Sequence, residues 1–468
     1  MKNLFNVWKA KLLTLLVFGV AILHFCKKDH VHPNVILPVS VAANDPYVIQ
    51  PEPRDSAYFW TKEYYLWTEL LPSFEVFRPR DLPDVFSVMS KVRSFQPLDR
   101  FSFVERKSDP VLRETDLVVD MGFSIKYYIH TDDLRVSFVN VDSPAGLAGV
   151  KRGWRILSID NRPISGGTQA EIAFLNDVFW GTTPVHLFRF VKPDGSTTNL
   201  TIREGVYRSH TVLFHHVYEN NAQKIGYLVY NSFGGASSVN ELQQVISSFE
   251  NAGINDLIVD LRYNRGGFVA SSEAFANLLA PQGLGTGRYI MFRYVFNSRH
   301  PEMNQSIYFN KTNTLNLSRI VFIVTPSTAS ASELLINSLT PVMQVRLIGD
   351  RHTYGKPVGF FPISVYEYNI YPVSFKTVNS VGRADYYQGF DVDKQVSDDL
   401  SHEFGDPEEA ELGEALTYLT TGSFSARADE HFMALSNSLI NEGNNGLKLR
   451  PAVAIENRKE HIPTLKIH

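Results

Sequence analysis

Ser330, Lys356 and the pair Gly266-Gly267 are the residues of this chain whose types and surroundings could do chemistry together. Ser330 stands in "TPSTASASELLINSLT", residues 325 to 340, between the apolar run "IVFIVT" and an amphipathic stretch from Glu333 to Leu339. A buried strand followed at once by a helix puts Ser330 at a corner, where small neighbours let the backbone turn sharply. The free N–H groups and dipole of a helix start favour negative charge developing there. That placement suits acyl transfer, which wants an exposed nucleophile beside oxyanion donors. It suits an ordinary helix cap as well, since serine is common at that position.

A serine hydroxyl needs a base. None of the 14 histidines has a motif around it, and no His-Glu-x-x-His string occurs. His215-His216 sits in the strand-like "VLFHHVY" and reads as a structural pair. Lys356, in "GDRHTYGKPVG", is the remaining candidate. A lysine serves as a base when burial favours its neutral form; otherwise it is a surface lysine. Upstream, "LIVDLRYNRGG" ends a buried strand in Asp260-Leu261-Arg262 and leads to Gly266-Gly267. Those glycines form either a tight turn or a loop whose backbone N–H groups approach a ligand closely.

The elements that must position these residues alternate along the chain. "KIGYLVYNSF" is strand-like, "SVNELQQVISSFENAG" helical and closed by Gly253, and "DLIVDLR" a buried strand. "SSEAFANLLA", "RIVFIVT" and "SASELLINSLT" continue the pattern as helix, strand and helix. Apolar strands alternating with amphipathic helices predict an α/β core with a mainly parallel sheet covered on both faces, over residues 205 to 425. Residues 51 to 115, rich in aromatics with apolar spacings of three and four, predict a small helical domain. Residues 116 to 204 alternate like strands, with a hairpin turn at Pro193-Asp194-Gly195. At 468 residues, two or three domains are expected.

The net charge of −4 and the absence of charged blocks argue against nucleic acid as a partner. Cys26 is the only cysteine, so neither an intrachain disulfide nor a zinc cluster is expected. Lys2, Lys9 and Lys11 precede the apolar run Leu12 to Phe25, which ends on Cys26. This has the character of a secretory signal over residues 1 to 26, and the terminal cysteine suggests a lipoprotein signal with Cys26 lipidated. Phe25 stands where a small residue is usual, which leaves a plain signal or an uncleaved anchor open. Either way the mature chain is expected in the cell envelope, periplasmic or outer-membrane-associated, and not in the cytoplasm. Residues 27 to 50 read as a tether and 426 to 468 as an irregular tail.

Taken in order, "DLRYNRGG", "STASASEL" and "TYGKPVG" resemble the carboxyl-terminal processing (tail-specific) proteases, the S41 serine peptidases. Residues 116 to 204 resemble a PDZ domain, through Gly122-Phe123 and the run from Ser143-Pro144-Ala145 to Ile159-Asp160-Asn161. The run "NSVGRADYYQGFDVDKQVSDD" resembles secreted or lipid-anchored members of Bacteroidetes-like bacteria. The resemblance covers roughly residues 55 to 425 and implies a crotonase/ClpP-like protease core. It implies Ser330 as nucleophile, Lys356 as general base, and an oxyanion hole from the N–H of Ala331 and of Gly266 or Gly267. Gly122 and Phe123 would hold the C-terminal carboxylate of a protein substrate. Ser332 is the competing serine and reads as structural. No metal or organic cofactor is implied.

The chain departs from the family pattern in places. Phe360 stands where some members carry a Gln that orients the lysine, and Pro341 where others carry an acidic residue. Pro357 replaces a usual glycine. No third catalytic residue carries over, so a Ser–Lys dyad is the expectation. These departures keep a rival open: an inactive, PDZ-containing peptide-binding protein on the same scaffold. An acyl-CoA enzyme or a lipid carrier on this core are further alternatives that no motif selects.

Overall fold

The computed structural model describes residues 52–108, 117–128, 133–166, 168–220 and 223–426. The signal-like segment with Cys26, the tether, and the tail from residue 427 lie outside the described residues.

The central sheet has six strands in sequence order: β1 (Val212–Asn220), β2 (Gln223–Tyr230), β3 (Asp256–Asp260), β4 (Arg319–Val324), β5 (Gln344–Gly349) and β6 (Lys394–Gln395). β1 pairs antiparallel with β2, and every later pairing is parallel. All five residues of β3 are buried, as are five of the six in β4, because helices cover both faces. Those helices are α1 (Ala236–Ala252), α2 (Val269–Leu279), α3 (Ala331–Leu339) and α4 (Ala410–Thr421). α1 stops at Gly253, whose φ of 71° is left-handed, the usual glycine terminator. α4 lays Leu412, Ala415, Tyr418 and Leu419 on Tyr227, Ile258, Val321 and Ile348. On the other side of the sheet, Phe249 of α1 packs at Gly226, where a Cβ would stand 3.3 Å from its ring and 2.8 Å from Ile254 Cδ1.

A second, four-stranded antiparallel sheet joins Gln305–Asn310, Thr286–Phe296, Phe375–Asn379 and Val358–Gly359. The last of these follows directly on Lys356-Pro357.

Residues 53–106 carry helices at Pro53–Tyr64 and Val85–Arg93, the second capped by Asp84 on the N–H of Ser87. The strand Phe103–Arg106 also belongs here, and it pairs antiparallel with Tyr368–Tyr371. Tyr58, Phe77, Val88 and Met89 share one apolar cluster with Phe360, Ile370 and Val373. The helical unit is therefore built into the core through a common sheet and a common hydrophobic interior.

Residues 117–208 form an antiparallel sheet in the order 123–127, 134–139, 155–159, 185–191, 197–203, with the helix Gln169–Trp180. The predicted turn at Pro193-Asp194-Gly195 is present, with Gly195 at φ 79° and its N–H on the Lys192 carbonyl. Leu117–Asp120 pairs with Gly205–Arg208 and brings the entry and exit of this unit together. Among the described residues, no helix is long and apolar enough to cross a membrane.

Candidate active site

The hydroxyl-rich corner after β4 is stitched to the loop after β3. Thr328 Oγ1 donates to the Leu261 carbonyl at 2.8 Å, and Thr325 Oγ1 donates to the Arg262 carbonyl. Ser332 Oγ donates to the Asn264 carbonyl at 3.1 Å, so this fully buried serine is structural. The Ala329 N–H reaches the same Asn264 carbonyl at 3.1 Å. These bonds hold the strand-to-helix corner against the glycine loop, and Ser330 occupies its apex, half-buried, with φ 57° and ψ −111°. A non-glycine residue in that backbone region costs of order 1–3 kcal/mol and persists only where its surroundings enforce it.

Glu333, in the first turn of α3, does much of the enforcing. Its Oε2 accepts the N–H of Ser330 at 3.0 Å and that of Lys356 at 2.8 Å. Its Oε1 accepts the N–H of Gly355 at 2.7 Å and Thr353 Oγ1 at 2.5 Å. The Thr353 hydroxyl accepts in turn from the Phe390 N–H at 2.8 Å, so it has a proton to give to Glu333. Burial pushes the Glu333 carboxyl up from its ordinary range, while Thr353 and the three N–H groups pull it down. With four donors facing two oxygens, the arrangement fits the anion.

Lys356 is only 6% exposed. Its Nζ lies 4.3 Å from the centre of the Phe360 ring. Across from it, Gly266 (φ 103°) is pressed against the corner. A Cβ there would stand 2.8 Å from Ser330 Cβ and 3.0 Å from the Ala331 nitrogen. Asn264 Oδ1 accepts the Gly266 N–H at 2.9 Å, and Asn264 Nδ2 donates to the Tyr230 carbonyl at 2.9 Å. A Cβ on Gly267 (φ 152°) would instead strike the Phe233 carbonyl oxygen at 2.0 Å. Ser330, Ala331, Gly266, Gly267 and Lys356 thus come together, and the Gly266 N–H already has an acceptor.

Arg262 supports the loop from below. It is fully buried and meets Asp260 at 2.7 Å, Asp398 at 3.0 Å, Glu409 at 2.8 Å and Glu411 at 2.5 Å. Asp398 also takes Lys126 at 2.8 Å and Arg152 at 2.9 Å, both from the 117–208 unit. Those three cations hold the Asp398 carboxyl well below its usual range despite its burial. Burial pushes Glu411 well above the usual range, against the pull of Arg262.

Gly122 and Phe123 lie apart from this cluster in chain position, in the 117–208 unit. Gly122 needs its missing side chain: φ is 86° and a Cβ would fall 1.8 Å from that of Ser143. Phe123 opens the strand 123–127 at the edge of its sheet, with its ring edge-on to Phe179 and Phe188. No other described strand pairs with the outer side of this edge.

Sequence reasoning missed two residues here. Glu333 could have been found from its spacing, since an acid three residues after a helix-capping serine returns to the cap N–H. Asn264, whose side chain holds both the glycine loop and β2, carries no such signal.

Residues 224–379, which include every member of this cluster, match the family model described as Peptidase family S41. A chloroplastic carboxyl-terminal-processing peptidase of Arabidopsis thaliana is 28% identical over 226 residues, 48% of this chain and 44% of that protein. A carboxyl-terminal-processing protease of a Picosynechococcus species is 27% identical over 240 residues, 50% of this chain and 54% of that one. The chain spans about half the length of the curated relatives it matches. A crystal structure from Bacteroides fragilis NCTC 9343, described as an S41 protease, superposes with a TM-score of 0.62 at 23% identity. That likeness covers 79% of this chain and 97% of the other, and it shows the fold.

Proposed function

From the premise that this chain carries a peptidase family S41 domain, we propose that it is a serine endopeptidase cleaving proteins near or from their C-terminal ends through a Ser330–Lys356 dyad. The observation that carries the reading is the shared anchor of the two backbones on one oxygen of Glu333, which fixes the nucleophile's corner to the base's loop.

In this mechanism the neutral Lys356 amine takes the Ser330 proton as Oγ attacks the scissile carbonyl. The oxyanion is received by the N–H of Ala331 and, of the two glycines, by that of Gly267, because Asn264 already accepts from Gly266. One such donor is worth roughly 10²–10³ in rate. The ammonium of Lys356 then gives its proton to the leaving amine, and a water deprotonated by the same lysine releases the acyl group from Ser330. The 117–208 unit acts as a PDZ domain. A substrate C-terminus adds as a strand along residues 123–127, with its carboxylate at the Gly122-Phe123 loop. The open edge of that strand supports this assignment.

The apolar run before Cys26 supports secretion and a lipid anchor in the cell envelope, with protein substrates as partners there. Phe360 beside Lys356 favours a second reading, an inactive peptide-binding protein.

The purified protein is incubated with an unstructured protein, with and without its last few residues. Cleavage that depends on those residues and disappears in Ser330→Ala and Lys356→Ala supports the proposal. Binding without cleavage, and no labelling of Ser330 by a serine-reactive probe, supports the second reading. Turnover by either variant at the parental rate would falsify the dyad.

A further inference from the structure

We propose that the Lys356 amine is held by an aromatic clamp made of two ring faces, that of Phe360 and that of Phe101 from the N-terminal helical unit, so that this unit is part of the catalytic apparatus. The inference rests on the dyad reading. Nζ lies 4.3 Å from the Phe360 ring centre and 5.6 Å from that of Phe101, both within cation–π range. Both rings are buried, at 1% and 3% exposure, so their faces are fixed rather than exchanging with water.

Phe101 is carried on a braced segment. Asp99 accepts the N–H groups of Phe101 and Ser102 at 3.0 and 2.9 Å, and the Tyr65 hydroxyl at 2.9 Å. Ser102 Oγ accepts the Val373 N–H at 2.9 Å, tying the segment to the core. Arg100 donates to the carbonyls of Tyr354, Gly355 and Tyr387 at 3.4, 3.3 and 3.2 Å, which pins the loop carrying Lys356. Of the charged groups on the loop, Arg100 binds its carbonyls and Glu333 accepts the Lys356 backbone N–H at 2.8 Å. Tyr354, two residues before Lys356, sets its ring 6.2 Å from that of Phe101.

A ring face favours ammonium over amine. The clamp therefore stabilises Lys356 as it becomes charged on taking the Ser330 proton. Phe101 and Phe360 are positioning residues for the base.

The test uses the full chain with trifluorinated phenylalanine incorporated at 360 and, separately, at 101. Ring shape is kept while the negative face is weakened, and thermal melting verifies the fold. The expected result is a shift of the acidic limb of the kcat/KM profile to lower pH by several tenths to about one unit. The plateau rate should fall roughly 2- to 5-fold, with the larger effect at 360. Phe101→Leu and Phe360→Leu should move the limb the same way. A superimposable profile, or a slower rate with an unmoved limb, overturns the clamp and leaves packing as the rings' role. Activity surviving in Ser330→Ala overturns the dyad instead, so the two failures are told apart.

Discussion

Ser330 and Lys356, separated by a helix and a strand, donate their backbone N–H groups to the same atom, Glu333 Oε2, at 3.0 and 2.8 Å. Two donors on one oxygen leave little freedom between the serine corner and the lysine loop. The relation is set by main-chain atoms, so side-chain changes at 330 or 356 need not disturb it.

Glu333→Gln replaces one of two acceptor oxygens with a donor, and at least one N–H or hydroxyl then faces an N–H. The expected cost is about 1–3 kcal/mol of stability. A displacement of the dyad by about an ångström should lower kcat/KM on the order of 10²-fold. Steady-state kinetics and melting curves measure both; near-parental turnover would remove Glu333 from the positioning role.

The two serines of "SAS" should part company. Ser330→Ala should abolish turnover and probe labelling while the protein melts normally. Ser332→Ala loses only the bond to the Asn264 carbonyl, with a loss of about 1–3 kcal/mol and turnover retained. Equal loss of activity in both folded variants would mean that the nucleophile has been misassigned.

The glycines should separate as well. Gly266→Ala drives a methyl against Ser330 and the Ala331 nitrogen, so kcat should fall at least 10²-fold. Gly267→Ala meets the Phe233 carbonyl oxygen at 2.0 Å and should unsettle the fold first, seen as a lowered Tm. An active, normally melting Gly267→Ala protein would contradict the packing described.

Glu411 gives a pH prediction. Its carboxyl is raised by burial, so the folded state holds its proton more tightly than the unfolded state does. Stability from that difference is fully present below the ordinary carboxyl range and is lost as pH rises through the raised value. Glu411→Gln should flatten that decline. Tm measured from pH 5 to 9 should be less steep than in the parent, and an unchanged slope would sink the idea. Asp398 has the opposite sense: its depressed carboxyl contributes stability above the ordinary range, lost as acid protonates it.

Much of the core was legible because its signals are local. "IVFIVT" and "DLIVDLR" announce buried strands by apolar runs, and Gly253 ends α1 by the φ that only glycine adopts cheaply. The Ser330 corner followed from a strand meeting a helix with small residues between. What could not be seen depends on pairs distant in sequence. The strand Phe103–Arg106 is short and reads as the end of a helical unit until Tyr368–Tyr371 is beside it. Phe101 gives no hint of Lys356, 255 positions away (356 − 101), because an aromatic near an aromatic cluster looks like core. Asn264 could have been any polar loop residue; its two-sided grip exists only once β2 and the glycine loop adjoin.

Arg262 has a consequence for how the molecule is made. Two of the acids that neutralise it, Asp398 and Glu409, are synthesised more than 130 residues later, as is Glu411, whose carboxyl packs on the same guanidinium. A guanidinium enclosed without its counter-ions is strongly destabilising. A growing chain therefore cannot lock the end of β3 into its final setting until Asp398 and Glu409 have been made. The site is therefore unassembled while its own polypeptide is still emerging, and α4, the last helix among the described residues, completes it.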